Sequence, residues 1–194
     1  SFFFGLIFSS IYLVGKVVKE WDIKKIIALL VGTAIAYYIT ILPPMENPDA
    51  LWYVFISGAI AICAMILPGI SGSFILLLLG SYELVLSAIK DLNISIIAVF
   101  GLGCVTGLLS FSKFLNWMFK KYHDLTIALL TGFLVGSLNK IWPWKMTMSY
   151  RTNSHGEEVP FIQENILPTN FDGDPKVLLA VVMATTGLLL IIVM

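Results

Sequence analysis

The residues best suited to chemistry in this chain of 194 residues interrupt an apolar segment. Hydrophobic residues run from Leu51 to Leu67, give way to Pro68-Gly69-Ile70-Ser71-Gly72-Ser73, and resume at Phe74. The proline removes a backbone donor and ends the preceding helix, and the two glycines permit backbone conformations that are closed to other residues. The pattern therefore predicts a break in the backbone, followed by a new helix near Phe74 that one of the two serines caps.

A helix that begins at such a break, inside protein, favours an anion. Its first N–H groups lack partners within the helix, the positive end of its dipole faces the break, and Ser71 and Ser73 add two hydroxyls. Phosphate fits this combination most naturally, with the backbone of Gly69 and Gly72 and the two serine side chains as its ligands. The alternative is a Pro/Gly kink in a helical hairpin, in which the serines satisfy local carbonyls.

Two enzyme motifs come close to this segment and fail. A nucleophile elbow, G-x-S-x-G, requires glycine where Ser73 stands, and neither a strand nor a suitable histidine follows. A P-loop requires a lysine, which the segment lacks. His123 and His155 stand alone, so the sequence offers no metal site and no histidine-based catalytic pair. We therefore expect no enzyme activity, no metal and no cofactor.

The composition of the whole chain sets the environment of the break. Charged residues make up 12% and hydrophobic residues 58%, whereas an ordinary soluble domain has about 25% charged residues. A soluble globule of this length could not hide so much apolar surface. The chain is therefore predicted to be an integral membrane protein, in which a break at membrane depth survives only inside protein or beside a water-filled cavity. The formal net charge of zero argues against a nucleic-acid partner.

Apolar segments can be compared with the roughly 20 helical residues that cross the hydrocarbon core. They are Ser1 to Val18, Ile26 to Leu42, Leu51 to Leu67 with its continuation Phe74 to Ile89, Ile94 to Ser112, Leu125 to Leu138, and Val177 to Met194. They predict one polytopic domain over residues 1–194, an all-α helical bundle with a broken or re-entrant hairpin. Residues 139–176 are predicted to form a small extramembrane loop.

The distribution of lysines indicates the orientation, because cytoplasmic loops are enriched in basic residues. If the cluster from Lys16 to Lys25 faces the cytoplasm, the short loop holding Glu46 and Asp49 faces outward. The interrupted segment must then be a hairpin that emerges on the outer side near Asp91. The loop that begins at Lys113 is again cytoplasmic.

Glu83 is a carboxylate within the apolar run that follows the break. It lies ten residues beyond Ser73, about 15 Å along a continuous helix. An ionisable residue in such a run is costly and is by default a functional hypothesis, here the uptake of a proton or the binding of a cation. The alternative is an interfacial glutamate that is capped or that pairs with Lys90.

Lys113 and two tryptophans mark the membrane interfaces. Lys113 directly follows the fourth segment, where it can contact a phosphate head group or anchor the helix end by snorkelling. Trp142 and Trp144, between Lys140 and Lys145, follow the fifth segment on the outer side. They form either an aromatic belt or a rim that guides a lipid head group toward a basic patch.

Small residues within the apolar segments indicate close helix packing. Gly103 and Gly107 lie four residues apart, as do Gly132 and Gly136. Such faces let helices approach closely in lipid, and we expect these two to pack on each other or on the part of the polypeptide that this sequence lacks. Cys63 and Cys104 have no metal-ligand spacing and are expected to be small packing residues.

The sequence resembles the PopT-type polyprenyl-phosphate transporters, a bacterial membrane family formerly catalogued as a domain of unknown function. Three blocks carry the resemblance: Pro68 to Ser73 with the following Gly80, Tyr82 and Glu83; Phe2 to Ile7; and Gly136 to Trp144. The resemblance runs over nearly the whole chain, which looks like the C-terminal two thirds of the family pattern.

The resemblance implies that the chain carries undecaprenyl phosphate, the lipid carrier of cell-wall sugars, from the outer to the cytoplasmic leaflet of the bacterial cytoplasmic membrane. Family members look like two inverted repeats, each with a P-G-x-S-G hairpin, and this chain has one such signature. An N-terminal repeat of the same polypeptide is then an expected partner, and a homo-oligomer is a further candidate. In this setting Gly69, Ser71, Gly72 and Ser73 hold the phosphate, and Glu83 is the candidate for coupling to protons.

Two other functions remain open. A membrane enzyme that acts on a lipid phosphate, such as a phosphatase, is disfavoured because the sequence lacks a constellation of His, Asp and Arg. A transporter of a small ion or of another anionic lipid would be distinguished by competition between different head groups.

Overall fold

The computed structural model describes residues 1–45, 50–152, 158–171 and 174–193. Glu46, Asp49 and His155 lie outside the described residues. The helices are α1 (Phe2–Val17), α2 (Ile23–Ile41), α3 (Leu51–Ile66), α4 (Gly72–Leu78), α5 (Tyr82–Lys90), α6 (Ile94–Lys121), α7 (His123–Ser137) and α8 (Val177–Val193), and the strands are β1 (Lys145–Thr152) and β2 (Glu158–Asn165). The predicted all-α membrane fold is confirmed, and the short sheet is an addition to it.

Several helices are suited to a bilayer by length and composition. Among the described residues α2, α6 and α7 with the turn that follows it can each cross a membrane, and the pair of α4 and α5 adds a fourth if it forms one span. The remaining apolar helices, α1, α3 and α8, are shorter. Since hydrocarbon favours helices of this kind, the chain is a membrane protein.

The chain folds as two compact units, of which the first comprises residues 1–40 and 127–194 and the second residues 41–126. In the first unit α1 packs on α8, where Gly5 lies against the Ala184 carbonyl and the Ser9 hydroxyl donates to the Leu188 carbonyl at 3.0 Å. In the same unit Gly132 and Gly136 of α7 pack against α2. The expected close packing of these two glycines is confirmed.

The second unit is built on the pair of α3 and α6. Gly103 lies against the Phe55 carbonyl, and a Cβ at Gly107 would meet the Ala59 carbonyl oxygen at 2.6 Å. The expectation that the two glycine faces pack on each other, or on a part of the polypeptide outside this sequence, is therefore wrong, because each packs on a different helix of this chain. From the contact of Phe55 with Gly103 to that of Ala59 with Gly107, the contacts advance in the same direction along both helices. The helices α3 and α6 therefore run parallel. The segment between them must return to the side where α3 began, and this confirms the predicted hairpin.

Both cysteines lie at this helix interface. The Cys104 thiol lies 3.5 Å from the Gly58 carbonyl oxygen, and the Cys63 thiol lies 3.6 Å from the Gly107 carbonyl oxygen. These contacts confirm that the cysteines are packing residues.

The returning arm of the hairpin is not one helix. The predicted continuous run from Phe74 to Ile89 is wrong, since α4 and α5 are bent by 107° around Leu79 to Ser81. Gly80 sits at the bend with a φ of 67°, a conformation that glycine adopts at little cost. The estimate that placed Glu83 along one straight helix from Ser73 fails for the same reason.

The bend is sustained by hydrogen bonds to four consecutive carbonyls. Ser81 N–H donates to Leu76 at 2.9 Å and Gly80 N–H to Leu77 at 3.0 Å, while the N–H of Met45 donates to Leu78 at 2.7 Å and the Tyr53 hydroxyl to Leu79 at 2.9 Å. Carbonyls freed by a helix break need such partners, because lipid supplies none.

A second anchor of the bend joins two buried hydroxyls. The Oγ atoms of Ser57 on α3 and Ser81 lie 2.9 Å apart, and both side chains are fully buried. Ser81 Oγ also lies 3.5 Å from the Leu79 carbonyl oxygen, at the limit of a hydrogen bond. The hydroxyl pair therefore ties the bend to α3.

The predicted extramembrane loop contains an antiparallel hairpin of β1 and β2. Lys145 pairs with Asn165 and Thr152 with Glu158, with irregular register on either side of Ser149. The irregular register and Pro160 blur the alternation by which strands are recognised in a sequence. The sequence feature that could have predicted these strands is their content of threonine, tyrosine, valine and isoleucine, which favour strands.

Replacing Gly103 by alanine is expected to destabilise the second unit, because its Cβ would overlap the Phe55 carbonyl. Over-packing of this kind costs about 1–3 kcal/mol. Gly101→Ala is the matched control on the same helix, since nothing lies within 4 Å of a Cβ there. Thermal unfolding in detergent measures the difference, and equal midpoints for the two variants would contradict the close packing of α3 and α6.

Removal of one hydroxyl from the Ser57 and Ser81 pair should lower the unfolding free energy by more than half of the loss that removal of both hydroxyls causes. Ser57→Ala strands the Ser81 hydroxyl in the interior, at a cost of about 1–3 kcal/mol. The double variant Ser57→Ala, Ser81→Ala leaves no stranded group, so its destabilisation should fall well short of the sum of the single ones. Strictly additive changes in unfolding free energy would show that the two hydroxyls do not interact.

Candidate functional site

The tip of the hairpin, residues 67–73, follows the end of α3. Gly69 has a φ of 86°, and the N–H of Ile70 donates to the Leu67 carbonyl at 3.5 Å. A left-handed backbone of this kind is natural for glycine. Thus the predicted break is present, and α4 begins at Gly72, two residues before the expected start.

The two serines of the tip bind each other. Ser71 occupies the N-cap position of α4, but its side chain makes no capping hydrogen bond, so the predicted cap is wrong in this respect. Instead the Oγ atoms of Ser71 and Ser73 lie 2.8 Å apart, and both residues are exposed on the surface of the chain. Because each hydroxyl has one hydrogen and two lone pairs, their mutual bond uses only part of this capacity.

Gly72 has a packing role that the sequence did not reveal. It is buried against Met65, and a Cβ there would meet the Ala61 carbonyl oxygen at 2.9 Å. The residue therefore lets α4 approach α3. Since α4 has only seven residues, about 10 Å of helix, the hydroxyls rather than its dipole give the tip its polar character.

Lys113 lies within α6, not in a loop after it, since this helix continues to Lys121. Ala59 of α3 packs against Gly107 of α6, so these two residues lie at the same height. Met65 and Lys113 each lie six residues further along the two parallel helices, a rise of about 9 Å. This brings Lys113 to the height of Met65, in the last turn of α3 before the tip. Lys113 and the tip thus share one level of the second unit, and the Lys113 side chain is exposed.

Glu83 lies beyond the bend, in the first turn of α5, and is exposed on the surface of the chain. Its carbonyl oxygen accepts a hydrogen bond from the Ser87 hydroxyl at 2.9 Å. The length of α4 and the bend separate Glu83 from Ser71 and Ser73. The sequence placed these residues on one helix, and the structure divides them between two.

Trp142 and Trp144 belong to the first unit, where they anchor the segment that follows α7. Their rings lie 5.6 Å apart in an edge-on arrangement. The Trp142 indole N–H donates to the Ile166 carbonyl at 2.8 Å, and that of Trp144 to the Pro175 carbonyl at 2.9 Å. Because both donors are used within the chain, the ring faces are what these residues offer to a lipid.

The flanking lysines lie close to one another. Lys145 Nζ donates to the Lys140 carbonyl oxygen at 2.6 Å, and burial lowers the pKa of Lys145. Lys145 directly follows Trp144 in the chain. Among the described residues, no three His, Cys, Asp or Glu side chains are grouped as a metal site would require.

Sequence reasoning missed Tyr53, Ser57 and Ser81, the side chains that hold the bend. Tyr53 and Ser57 lie four residues apart on one face of α3 and are polar groups in an apolar helix. This spacing could have predicted their role, because a hydroxyl in an apolar helix needs a hydrogen-bond partner.

Comparison with known proteins identifies the relatives of the chain. The family model described as VCA0040-like, undecaprenyl phosphate translocase-like, matches residues 1–159. A polyprenyl-phosphate transporter of Vibrio cholerae serotype O1 is 50% identical over 172 residues, which cover 89% of this chain and 56% of that protein. A polyprenyl-phosphate transporter of Staphylococcus aureus is 32% identical over 163 residues, which cover 73% of this chain and 56% of that protein.

The chain therefore spans little more than half the length of these curated relatives. No solved structure matches it. The family match covers most of the chain and includes the hairpin tip, the bend, α6 and the two tryptophans. The chain belongs to the undecaprenyl phosphate translocase-like family.

Proposed function

We propose that this chain forms part of a transporter that carries undecaprenyl phosphate across the bacterial cytoplasmic membrane, from the outer to the cytoplasmic leaflet. The observation that carries the proposal is the broken hairpin of the second unit, with exposed hydroxyls at its tip, in a chain of this family. The name of both relatives, polyprenyl-phosphate transporter, supports this class of lipid.

The tip is the proposed phosphate site. A phosphate that leaves water needs donors that replace its hydration, and the hydroxyls of Ser71 and Ser73 supply them. The backbone of Gly69, which has a left-handed conformation in this turn, is proposed to contribute to the site, and Gly72 keeps α4 close to α3 beneath it. Lys113, at the height of the tip, supplies a positive charge on a flexible stem.

The support of the bend fits the same function. The direction of α4, and with it the position of the tip hydroxyls, depends on the contacts of Tyr53 and Ser57 with the bend. A site held by buried hydrogen bonds is preorganised, so less binding energy is lost in ordering it.

Trp142 and Trp144 are proposed to form the rim at the outer interface. Their paired rings are suited to the boundary between head groups and acyl chains, where indoles concentrate in membrane proteins. Lys145 adds a positive charge there that attracts an anionic head group.

The remaining part of the polypeptide is proposed to supply the second hairpin. Assembly into a homo-oligomer remains a prediction, and so does the absence of enzyme activity.

Glu83 is the proposed coupling residue. An exposed carboxylate on an apolar hairpin is a costly feature in lipid. We propose that the Glu83 side chain takes up a proton during transport and becomes neutral. A neutral side chain has a lower free-energy cost in lipid than a charged one. The position of Glu83 beyond the bend separates the proton site from the phosphate site.

Loss of both tip hydroxyls should slow leaflet exchange. In liposomes that contain the full-length protein and a labelled undecaprenyl phosphate, Ser71→Ala with Ser73→Ala removes two hydrogen bonds to a charged group, each worth about 1.5–3 kcal/mol. We expect exchange at least about tenfold slower. Ser87→Ala is the matched control, since this exposed serine lies on α5 and bonds only local carbonyls among the described residues.

Unchanged exchange in the tip variant, with normal exchange in the Ser87→Ala control, would refute the phosphate site. Equal competition by other anionic lipids or by small anions would refute the specificity for undecaprenyl phosphate. Release of inorganic phosphate would indicate a phosphatase.

Replacement of Glu83 by glutamine should uncouple transport from protons. Glutamine keeps the shape of the side chain but cannot exchange a proton, so the acceleration of exchange by a transmembrane pH gradient should disappear. Exchange without a gradient should change by less than about threefold, because the phosphate site is intact. A Glu83→Gln variant that still responds to the gradient like the wild type would exclude Glu83 as the coupling residue.

A further inference from the structure

The first unit contains a cavity of about 400 Å³ between α1, α8 and the chain that enters α8. This volume lies within the range of ligand pockets, about 300–1,000 Å³. The site is separate from the hairpin tip, which belongs to the second unit. The cavity shares Trp144 with the rim proposed for transport, but its other lining residues have no part in that proposal.

One side of the cavity is apolar and continues along a helix face. Phe3 of α1 and Leu179, Ala180 and Met183 of α8 line it, and the three large side chains are exposed to between 42% and 67%. Ala180 is the small member of this wall, so it leaves a groove between its neighbours. A hydrocarbon chain that lay along this groove would cover the exposed apolar surface.

Trp144 gives the cavity a fixed wall. Its indole N–H donates to the Pro175 carbonyl at 2.9 Å, and its ring packs edge-on against Trp142. Because Trp144 and Pro175 both line the cavity, this hydrogen bond holds two sides of the wall together. Indoles of this kind are typical of the head-group level of a membrane.

Among the described residues, side chains of both charge signs line the cavity. Asp174 and Lys176 both line it and both are exposed. Asp174 Oδ1 accepts a hydrogen bond from the backbone N–H of Lys176 at 3.0 Å, and Lys176 adopts a φ of 42° at the entry to α8. This turn holds the carboxylate beside the first residues of an apolar helix, where a head group would lie.

From these contacts we infer that the cavity binds a zwitterionic membrane phospholipid whose head group carries a primary amine. The lipid phosphate pairs with Lys176, the ammonium donates to Asp174, and one acyl chain lies along Ala180 and Met183. The charge pattern is complementary to such a head group, because a phosphoethanolamine also carries one charge of each sign. An anionic lipid without an amine, including a polyprenyl phosphate, could still pair its phosphate with Lys176 but would bring no cation to Asp174.

The test is lipid retention by the full-length protein, measured by native mass spectrometry in detergent. Delipidated protein is titrated with phosphatidylethanolamine, phosphatidylcholine and phosphatidylglycerol of identical acyl chains. We expect phosphatidylethanolamine to bind about tenfold more tightly than the other two, because only its ammonium donates charge-assisted hydrogen bonds without adding net charge.

Two variants locate the binding. Ala180→Phe fills the groove and should weaken phosphatidylethanolamine binding at least about fivefold, as expected for over-packing of a ligand site. Val181→Phe is the matched control, because Val181 is the next residue of α8, is 51% exposed and does not line the cavity. Asp174→Asn removes the acceptor charge without changing the groove, so it should reduce the preference over phosphatidylcholine to less than about twofold.

Equal binding of the three phospholipids by the wild type would overturn the inference. So would unchanged phosphatidylethanolamine binding in both Ala180→Phe and Asp174→Asn, or displacement of the bound lipid by equimolar polyprenyl phosphate. Asp174→Asn, on an exposed residue, decides the matter if Ala180→Phe does not fold. Because lipid retention is measured without transport, failure here leaves the phosphate site at the tip unaffected.

Discussion

The structure depends on one constraint, that backbone carbonyls freed by a helix break must find donors where the surroundings are apolar. At the bend between α4 and α5, four consecutive carbonyls accept from Ser81, Gly80, Met45 and Tyr53. Two of these donors come from the bend itself and two from the chain before it. The bend therefore depends on α3 and on Met45, which lie alongside it.

Glycine packing brings α3 into that place. Phe55 and Ala59 of α3 lie against Gly103 and Gly107 of α6, so the two helices run parallel at close range. Parallel helices joined through one chain need a segment that returns, and α4 and α5 form it. The same close contact that joins α3 to α6 thus creates the need for the hairpin and presents Tyr53 and Ser57 to its bend.

Much of this arrangement was predictable, and what was not has identifiable causes. The apolar segments, the break at Gly69 and the close packing of the glycines follow from local composition and spacing. The partners of Gly103 and Gly132 do not, because small residues indicate a close approach without naming the helix that approaches. The bend at Gly80 escaped notice since a single glycine is tolerated in a helix, and the hairpin of β1 and β2 because its register is irregular.

The proposed phosphate site differs in kind from a site built for tight binding. The tip offers two hydroxyls and a glycine turn, with Lys113 at the same height along the axis, and its hydroxyls already bind each other. A lipid phosphate that enters must displace part of that bond, and on leaving it restores the bond. The hydroxyl pair therefore reduces the free energy gained when the phosphate binds, and by the same amount it reduces the free energy needed to release the phosphate. A carrier that must hold its cargo and then let it go benefits from this balance, as conducting sites do.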